Sequence, residues 1–147
     1  MIVAIGSDHA GVSLKKTIID TFSDIEFKDL GTYNEDSCDY PDYCGAVGEA
    51  VVSGESKLGI VICGSGVGAS ISANKVHGVR ASLCFNEYMA EMTRKHNDSN
   101  VLALGARIIG VDLALSIVKT YFSHEFEGGR HQRRVDKMTA IEEKQCR

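Results

Sequence analysis

The chain has 147 residues, of which 44% are hydrophobic and 24% are charged, and its formal net charge is −4. This size is typical of one domain with a single core, and the composition excludes intrinsic disorder and collagen-like repeats. The mild acidity and the dispersed basic residues argue against a nucleic-acid-binding surface. Neither a signal peptide nor a membrane-spanning run is expected, so we predict a cytoplasmic protein without membrane contact.

Short apolar runs alternate with helical patterns along the whole chain. Residues 1–6 predict a strand, 7–11 a polar turn, and apolar residues at 14, 18, 19 and 22 predict a helix over 12–22. The further predictions are strands at 25–30, 58–63, 79–84 and 100–104, and helices at 42–53, 67–75, 86–96, 110–123 and 131–144. This alternation predicts an α/β fold: a doubly wound, Rossmann-like sheet of five parallel strands, with helices on both faces and a C-terminal helix. No linker divides it, so residues 1–147 are predicted to form one domain.

A glycine-rich turn, residues 64–68, follows the third predicted strand. In open parallel sheets ligands bind at the carboxyl ends of the strands. Gly64, Gly66 and Gly68 bracket a helix start, where unpaired N–H groups and the helix dipole favour an anion. Neither the GxxxxGK[ST] nor the GxGxxG template for nucleotide phosphates fits this turn.

The five cysteines lack CxxC or zinc-type spacing, so we predict reduced thiols and no structural metal site. They are Cys38, Cys44, Cys63, Cys84 and Cys146. Cys63 directly precedes the glycine-rich turn, where a thiolate would be stabilised as a base or nucleophile. The alternative is a buried, inert cysteine, and that alternative fits Cys84 better.

Other polar residues at the predicted sheet edge also have two interpretations. Asp8 and His9 fit a reactive pair after the first strand, but Asp8 equally fits a helix cap. His96 shares a helix face with Met89 and Met92, and it fits either a site residue or a favourable charge at the helix C-terminus. Arg130 and Arg134, one helical turn apart, suit a phosphate dianion, or form a solvated basic face.

Six motifs taken together resemble the ribose-5-phosphate isomerase B family, which also holds allose-6-phosphate and galactose-6-phosphate isomerases. In chain order they are SDHAG at 7–11, DYP at 39–41, ICGSGVG at 62–68, SANK at 72–75, RKHND at 94–98 and GGRHQRR at 128–134. The resemblance implies a homodimer, with tetramers as a further option, that needs no metal or cofactor. It also implies that the C-terminal segment, about 125–147, brings phosphate-binding arginines to the partner's active site.

The resemblance further implies a role for each site residue. Cys63 would move the proton between C1 and C2 of the sugar, with Ser65 beside it, while the N–H groups of Gly64, Gly66, Val67 and Gly68 stabilise the enediolate. Asp8 and His96 would open the furanose ring, and Tyr40 and Asn97 would place the hydroxyls. The phosphate would be held by His9, Arg107, Arg130 and Arg134.

Two positions place the chain within this family. Cys63 is present and Ala69 stands where another branch uses a glutamate, so the cysteine branch is indicated. Ser65 replaces the threonine of many members, which leaves more room near C1. The predicted function is isomerisation of ribose 5-phosphate to ribulose 5-phosphate. The alternatives are a six-carbon sugar-phosphate isomerase and, from another class, a non-catalytic nucleotide-binding module.

Overall fold

The computed structural model describes residues 1–145, so Cys146 lies outside the described part of the chain. The strands are β1 (Ile2–Ser7), β2 (Glu26–Asp29), β3 (Leu58–Cys63), β4 (Ala81–Leu83) and β5 (Val101–Gly105). The helices are α1 (Val12–Thr21), α2 (Tyr40–Val52), α3 (Val67–Ala73), α4 (Glu87–Asn97), α5 (Val111–Ser123) and α6 (Gln132–Gln145). Short 3₁₀ turns at His9–Gly11 and Gly129–His131 precede α1 and α6.

All five strands are parallel and lie in the order β2-β1-β3-β5-β4. The central strands β3 and β5 are buried along their whole length, as their unbroken apolar sequences predict. The chain leaves β1 toward one edge of the sheet and returns to the other side of β1 as β3. The order therefore reverses between β1 and β3, and ligand crevices of doubly wound sheets open at such a point.

Two apolar clusters cover the two faces of the sheet. Alternate strand residues such as Ile60 and Leu102 pack with α1 and α5 in one cluster. Their neighbours, such as Val61 and Ala103, pack with α2 and α3 in the other. Successive side chains of a strand point to opposite faces, so this division confirms the predicted doubly wound fold.

Some element bounds differ from the prediction. Helix α2 begins at Tyr40, two residues early, because Pro41 occupies its first turn, where the missing proline N–H costs nothing. Strand β4 spans only Ala81–Leu83, because Val79 and Arg80 precede the ladder with β5 and Cys84 follows it. Strand β5 separates β4 from β3, so Cys84 follows the edge strand and not a neighbour of β3. Among residues 1–145, no helix combines the length and apolar character needed to cross a membrane.

Candidate active site

Asp8 follows β1 at the point where the strand order reverses. Its Oδ1 accepts hydrogen bonds from the N–H groups of Ala10, at 2.9 Å, and Gly11, at 3.3 Å. Its own N–H donates to the carbonyl of Ile62 on β3, at 3.2 Å. Asp8 therefore acts as a cap, one of its two predicted roles, and it does so while buried beside β3. A role in ring opening stays a prediction.

Cys63 ends β3 and lies against the glycine-rich turn. Its side chain is 4% exposed and joins the apolar cluster under α2 and α3, as the inert alternative requires. Its Sγ, however, accepts a hydrogen bond from the N–H of Gly66 at 3.1 Å. The sulfur thus contacts the N–H of Gly66, the residue that directly precedes α3. An amide donor stabilises a thiolate more than a thiol, so this position suits a base.

The end of β5 holds the glycine-rich turn in place. The N–H groups of Ala106 and Arg107 donate to the carbonyls of Cys63 and Gly64, both at 2.9 Å. A Cβ added to Gly64 would lie 3.5 Å from Arg107 Nη1, so the guanidinium group lies beside the turn. Ser65 is exposed, and its Oγ accepts the N–H of Val67 at 3.2 Å. A fixed turn with a cation beside it is suited to an anionic ligand.

Tyr40 approaches the same turn from the start of α2. A Cβ added to Gly68 would lie 2.5 Å from Tyr40 Cζ and 2.8 Å from its Oη. Only a glycine lets the ring come this close. The phenol is 38% exposed and is therefore open to a ligand above the turn. The structure thus brings Asp8, Tyr40, Cys63 and Arg107 to one edge of the sheet.

His9 lies in the 3₁₀ turn after Asp8 and contacts the long loop before α2. Its Nδ1 accepts a hydrogen bond from the main-chain N–H of Cys38 at 3.2 Å. Sequence reasoning placed His9 at the site but gave no sign of this partner, which is 29 residues away in the chain.

A second group of predicted residues surrounds the end of α4. The rings of His96 and His131 stack with centroids 4.0 Å apart and an interplanar angle of 8°. Arg130 Nε donates to His131 Nε2 at 3.4 Å, and Glu127 Oε2 lies 4.0 Å from Nε2 of each histidine. His96 therefore packs on His131 of the C-terminal segment. Arg130 belongs to the 3₁₀ turn that leads directly into α6, and Arg134 lies in the first turn of α6.

Glu127 and His131 had no predicted role. His131 is 5% exposed, and Nδ1 of its ring has no hydrogen-bond partner among the described residues. Burial, followed by nearby His96, Arg130 and Arg134, lowers the pKa of His131, so it is neutral at pH 7. The i, i+4 spacing of Glu127 and His131 was a usable sequence signal, but nothing in the sequence indicated the stack on His96.

The remaining thiols near the sheet are poor nucleophiles. Burial, with smaller effects of Cys63 and Asp8, raises the pKa of Cys44 to about 12. Burial alone raises the pKa of Cys84 to about 12. Both stay protonated at neutral pH, as expected of inert cysteines.

One group of side chains contains the kinds of atoms that bind a metal ion. The nearest ligand atoms of His96, Glu127 and His131 all lie within 4.8 Å of one another. The two imidazole rings are parallel, however, so their in-plane lone pairs do not converge on a shared point. Arg130 also donates to one of these nitrogens. The arrangement fits a packed, hydrogen-bonded pair better than a metal centre.

The predicted residues thus form two groups at two places in the chain. The first group, around the glycine-rich turn, holds Asp8, His9, Tyr40, Cys63 and Arg107. The second group holds His96, Asn97, Arg130 and Arg134, and Asn97 is exposed at the end of α4. Within residues 1–145, no hydrogen bond or ion pair joins the two groups.

Comparison with known proteins places this geometry in a family. The sequence model of the family described as Ribose/Galactose Isomerase matches residues 3–138. Ribose-5-phosphate isomerase B of Escherichia coli is 46% identical, with 97% of each chain covered. The Clostridium thermocellum ribose-5-phosphate isomerase B structure is 55% identical, has a TM-score of 0.96 and aligns over 98% of this chain and 99% of that one.

A third relative was crystallised with a sugar phosphate. The structure of Mycoplasma genitalium ribose-5-phosphate isomerase B with bound ribulose 5-phosphate is 40% identical. It has a TM-score of 0.91 and aligns over 97% of this chain and 96% of that one. Matches of this extent cover both groups of site residues. The chain therefore belongs to the ribose/galactose isomerase family.

Proposed function

We propose that this aldose-ketose isomerase interconverts ribose 5-phosphate and ribulose 5-phosphate, with Cys63 as the base. The observation that carries the proposal is the 3.1 Å hydrogen bond from the N–H of Gly66 to Cys63 Sγ. It places the sulfur against the N–H of Gly66, directly before α3. A base next to an oxyanion site is what proton abstraction beside a carbonyl requires, because the carbon acid is weak.

The proposed reaction moves one proton between neighbouring carbons. The Cys63 thiolate removes the proton from C2 of the open-chain aldose, and the electrons shift to O1 to give an enediolate. The N–H groups of the glycine-rich turn hold the developing oxyanion. Cys63 then returns the proton to C1 while the hydroxyl proton of O2 moves to O1, so the carbonyl ends on C2. Atoms and charges balance, and no cofactor enters.

The other residues act before and around this step. Asp8 and His96 open the furanose ring by moving protons between the ring oxygen and the anomeric hydroxyl. Arg107, together with His9, Arg130 and Arg134, binds the phosphate. Two observations support the roles of Asp8 and Arg107. The Asp8 carboxylate is buried, and the Arg107 guanidinium group lies beside the glycine-rich turn.

We further propose that the active site is shared between two subunits of a homodimer. Within residues 1–145 no hydrogen bond or ion pair joins the two groups of site residues, and this supports a shared site, because each group lacks what the other supplies. Val67 and Ile71 support it as well. They lie one helical turn apart on α3 and are 48% and 56% exposed, forming an apolar face beside the glycine-rich turn. A second copy would bury this face.

A mixed dimer tests the shared site. The variant Cys63→Ala and the double variant Arg130→Ala/Arg134→Ala each lose activity as homodimers at low substrate concentration. A purified dimer of one subunit of each kind carries one native site, so we expect about half of the wild-type rate. Sites built within single chains would leave the mixed dimer inactive. Two different affinity tags and a steady-state assay suffice.

A substrate panel tests the function itself. We expect kcat/KM to be highest for ribose 5-phosphate and lower for allose 6-phosphate and galactose 6-phosphate. Unphosphorylated ribose should react much more slowly, because phosphate binding contributes to the transition state through remote contacts. Preference for a six-carbon phosphate would favour the alternative isomerase. Thermal stabilisation by nucleotides and none by ribose 5-phosphate would favour the binding module.

We also infer a cytoplasmic location. Cys38, Cys44, Cys63 and Cys84 are all free thiols. Reduced cysteines are typical of proteins in a reducing compartment.

A further inference from the structure

The loop before α2 is attached to the sheet edge at both of its ends. At its start, the N–H of Thr32 donates to the carbonyl of Ser7 at 2.6 Å, and the N–H of Ser7 donates to the carbonyl of Gly31 at 2.7 Å. The buried Lys15 ammonium donates to the Thr32 carbonyl at 2.7 Å and pairs with Asp29. This start is therefore fixed against β1, directly before Asp8.

The far end of the loop is attached through a side-chain hydrogen bond to His9. Residues 33–37 are exposed, and among them the Tyr33 hydroxyl donates to the carbonyl of Asp29 on β2 at 3.0 Å. The Cys38 N–H then donates to His9 Nδ1 at 3.2 Å. Tyr40, which lies against Gly68, follows two residues later. His9 thus holds the segment that precedes Tyr40 and helps to position Tyr40 against the glycine-rich turn.

This hydrogen bond also determines where the imidazole carries its proton. A main-chain amide can only donate, so Nδ1 of His9 must offer a lone pair. The proton of the neutral ring is then on Nε2, and a doubly protonated ring could not keep the contact. With this contact in place, the His9 ring presents its Nε2–H donor on the free side.

We propose that the main-chain amide of Cys38 positions His9 as the neutral Nε2–H form, so that His9 binds the substrate phosphate as an uncharged donor. The inference rests on the proposed function for the phosphate, and the positive charge in the phosphate site then comes from the arginines alone. The hydrogen bond from Cys38 to His9 also holds the segment before Tyr40, so it couples phosphate binding to the position of Tyr40. The residue at position 38 acts through its backbone, so its thiol is dispensable.

Nuclear magnetic resonance of the wild-type enzyme without substrate tests the tautomer directly. We expect an unprotonated Nδ1 and a protonated Nε2 for His9, and slow hydrogen exchange at the Cys38 amide despite its place in an exposed loop. The variant His9→Asn keeps an acceptor where Nδ1 was and should keep this protection. The variant His9→Gln should lose it. An Nδ1–H ring, an imidazolium, or a rapidly exchanging Cys38 amide would overturn the proposal.

Kinetics then test the link to phosphate. Cys38→Pro removes the amide donor, whereas Cys38→Ala keeps it and removes only the thiol. We expect Cys38→Ala to match the wild type and Cys38→Pro to raise KM for ribose 5-phosphate about 3- to 10-fold, the range of one ordinary hydrogen bond. Equal KM values for the two variants would overturn the link. Because the resonance experiment needs no substrate, failure of the proposed function would leave its result intact.

Discussion

Replacing Cys63 by alanine should abolish isomerisation while leaving substrate binding nearly unchanged. General bases contribute about 10²- to 10⁴-fold to such reactions, and here the same group both removes and returns the proton. The substitution removes only the sulfur atom of a residue that is 4% exposed, so we expect the N–H groups of the turn and the arginines to stay in place. Turnover is measured by the formation of ribulose 5-phosphate, and binding by calorimetry.

Cys84 supplies a matched control for this experiment. It is also buried and follows a strand, but burial raises the pKa of its thiol to about 12 and it lies on the opposite side of the sheet from Cys63. Cys84→Ala should therefore keep its kcat and lose only some stability. Near-normal turnover in Cys63→Ala, with or without an effect of Cys84→Ala, would show that another group is the base.

Replacing Gly66 by alanine should damage both stability and turnover. Gly66 has φ of +78°, which side chains rarely adopt. A Cβ there would lie 2.5 Å from Leu83 Cδ1 and 2.8 Å from the carbonyl carbon of Leu104. The turn must shift, and its N–H then leaves Cys63 Sγ. We expect kcat to fall about 10²- to 10³-fold, as for loss of one oxyanion donor, together with a lower melting temperature.

The variant Gly54→Ala is a control that measures the effect of backbone strain without a change in the active site. It has φ of +83°, close to that of Gly66, but a Cβ there would meet nothing within 4 Å. Gly54→Ala should thus lower the melting temperature by the strain alone and leave kcat unchanged. If Gly66→Ala and Gly54→Ala had equal kcat values, the Gly66 amide would have no part in catalysis.

The sequence predicted the sheet well because its signal is local and strong. Strand β3 has the predicted bounds, since an unbroken apolar run ending in a glycine-rich turn has few other interpretations. Edge strand β4 was predicted too long, because at an edge only part of an apolar run pairs with a neighbour. Asp8 fitted a cap from its position alone, and the structure shows this role.

The contacts between distant segments could not be predicted from local patterns. The stack of His96 on His131 joins α4 to the C-terminal segment, and the hydrogen bond from Cys38 to His9 joins a loop to the 3₁₀ turn after β1. Neither contact produces a hydrophobic periodicity or a characteristic residue spacing in the sequence. The contact of Tyr40 with Gly68 could not be predicted either. In the sequence, a glycine that makes room for an aromatic ring cannot be distinguished from any other turn glycine.

Neighbouring strands carry the two groups that the chemistry needs most. Ser7 of β1 is in register with Ile62 of β3, and Asp8 and Cys63 are the next residues of each chain segment. The spacing between them is therefore fixed by the roughly 4.8 Å repeat of any sheet, and buried residues on both faces prevent its adjustment. A relative that acts on a longer sugar must accommodate the extra carbon elsewhere. The loop before α2 and the C-terminal segment lie outside the sheet, so the strand spacing does not fix their distance from Cys63.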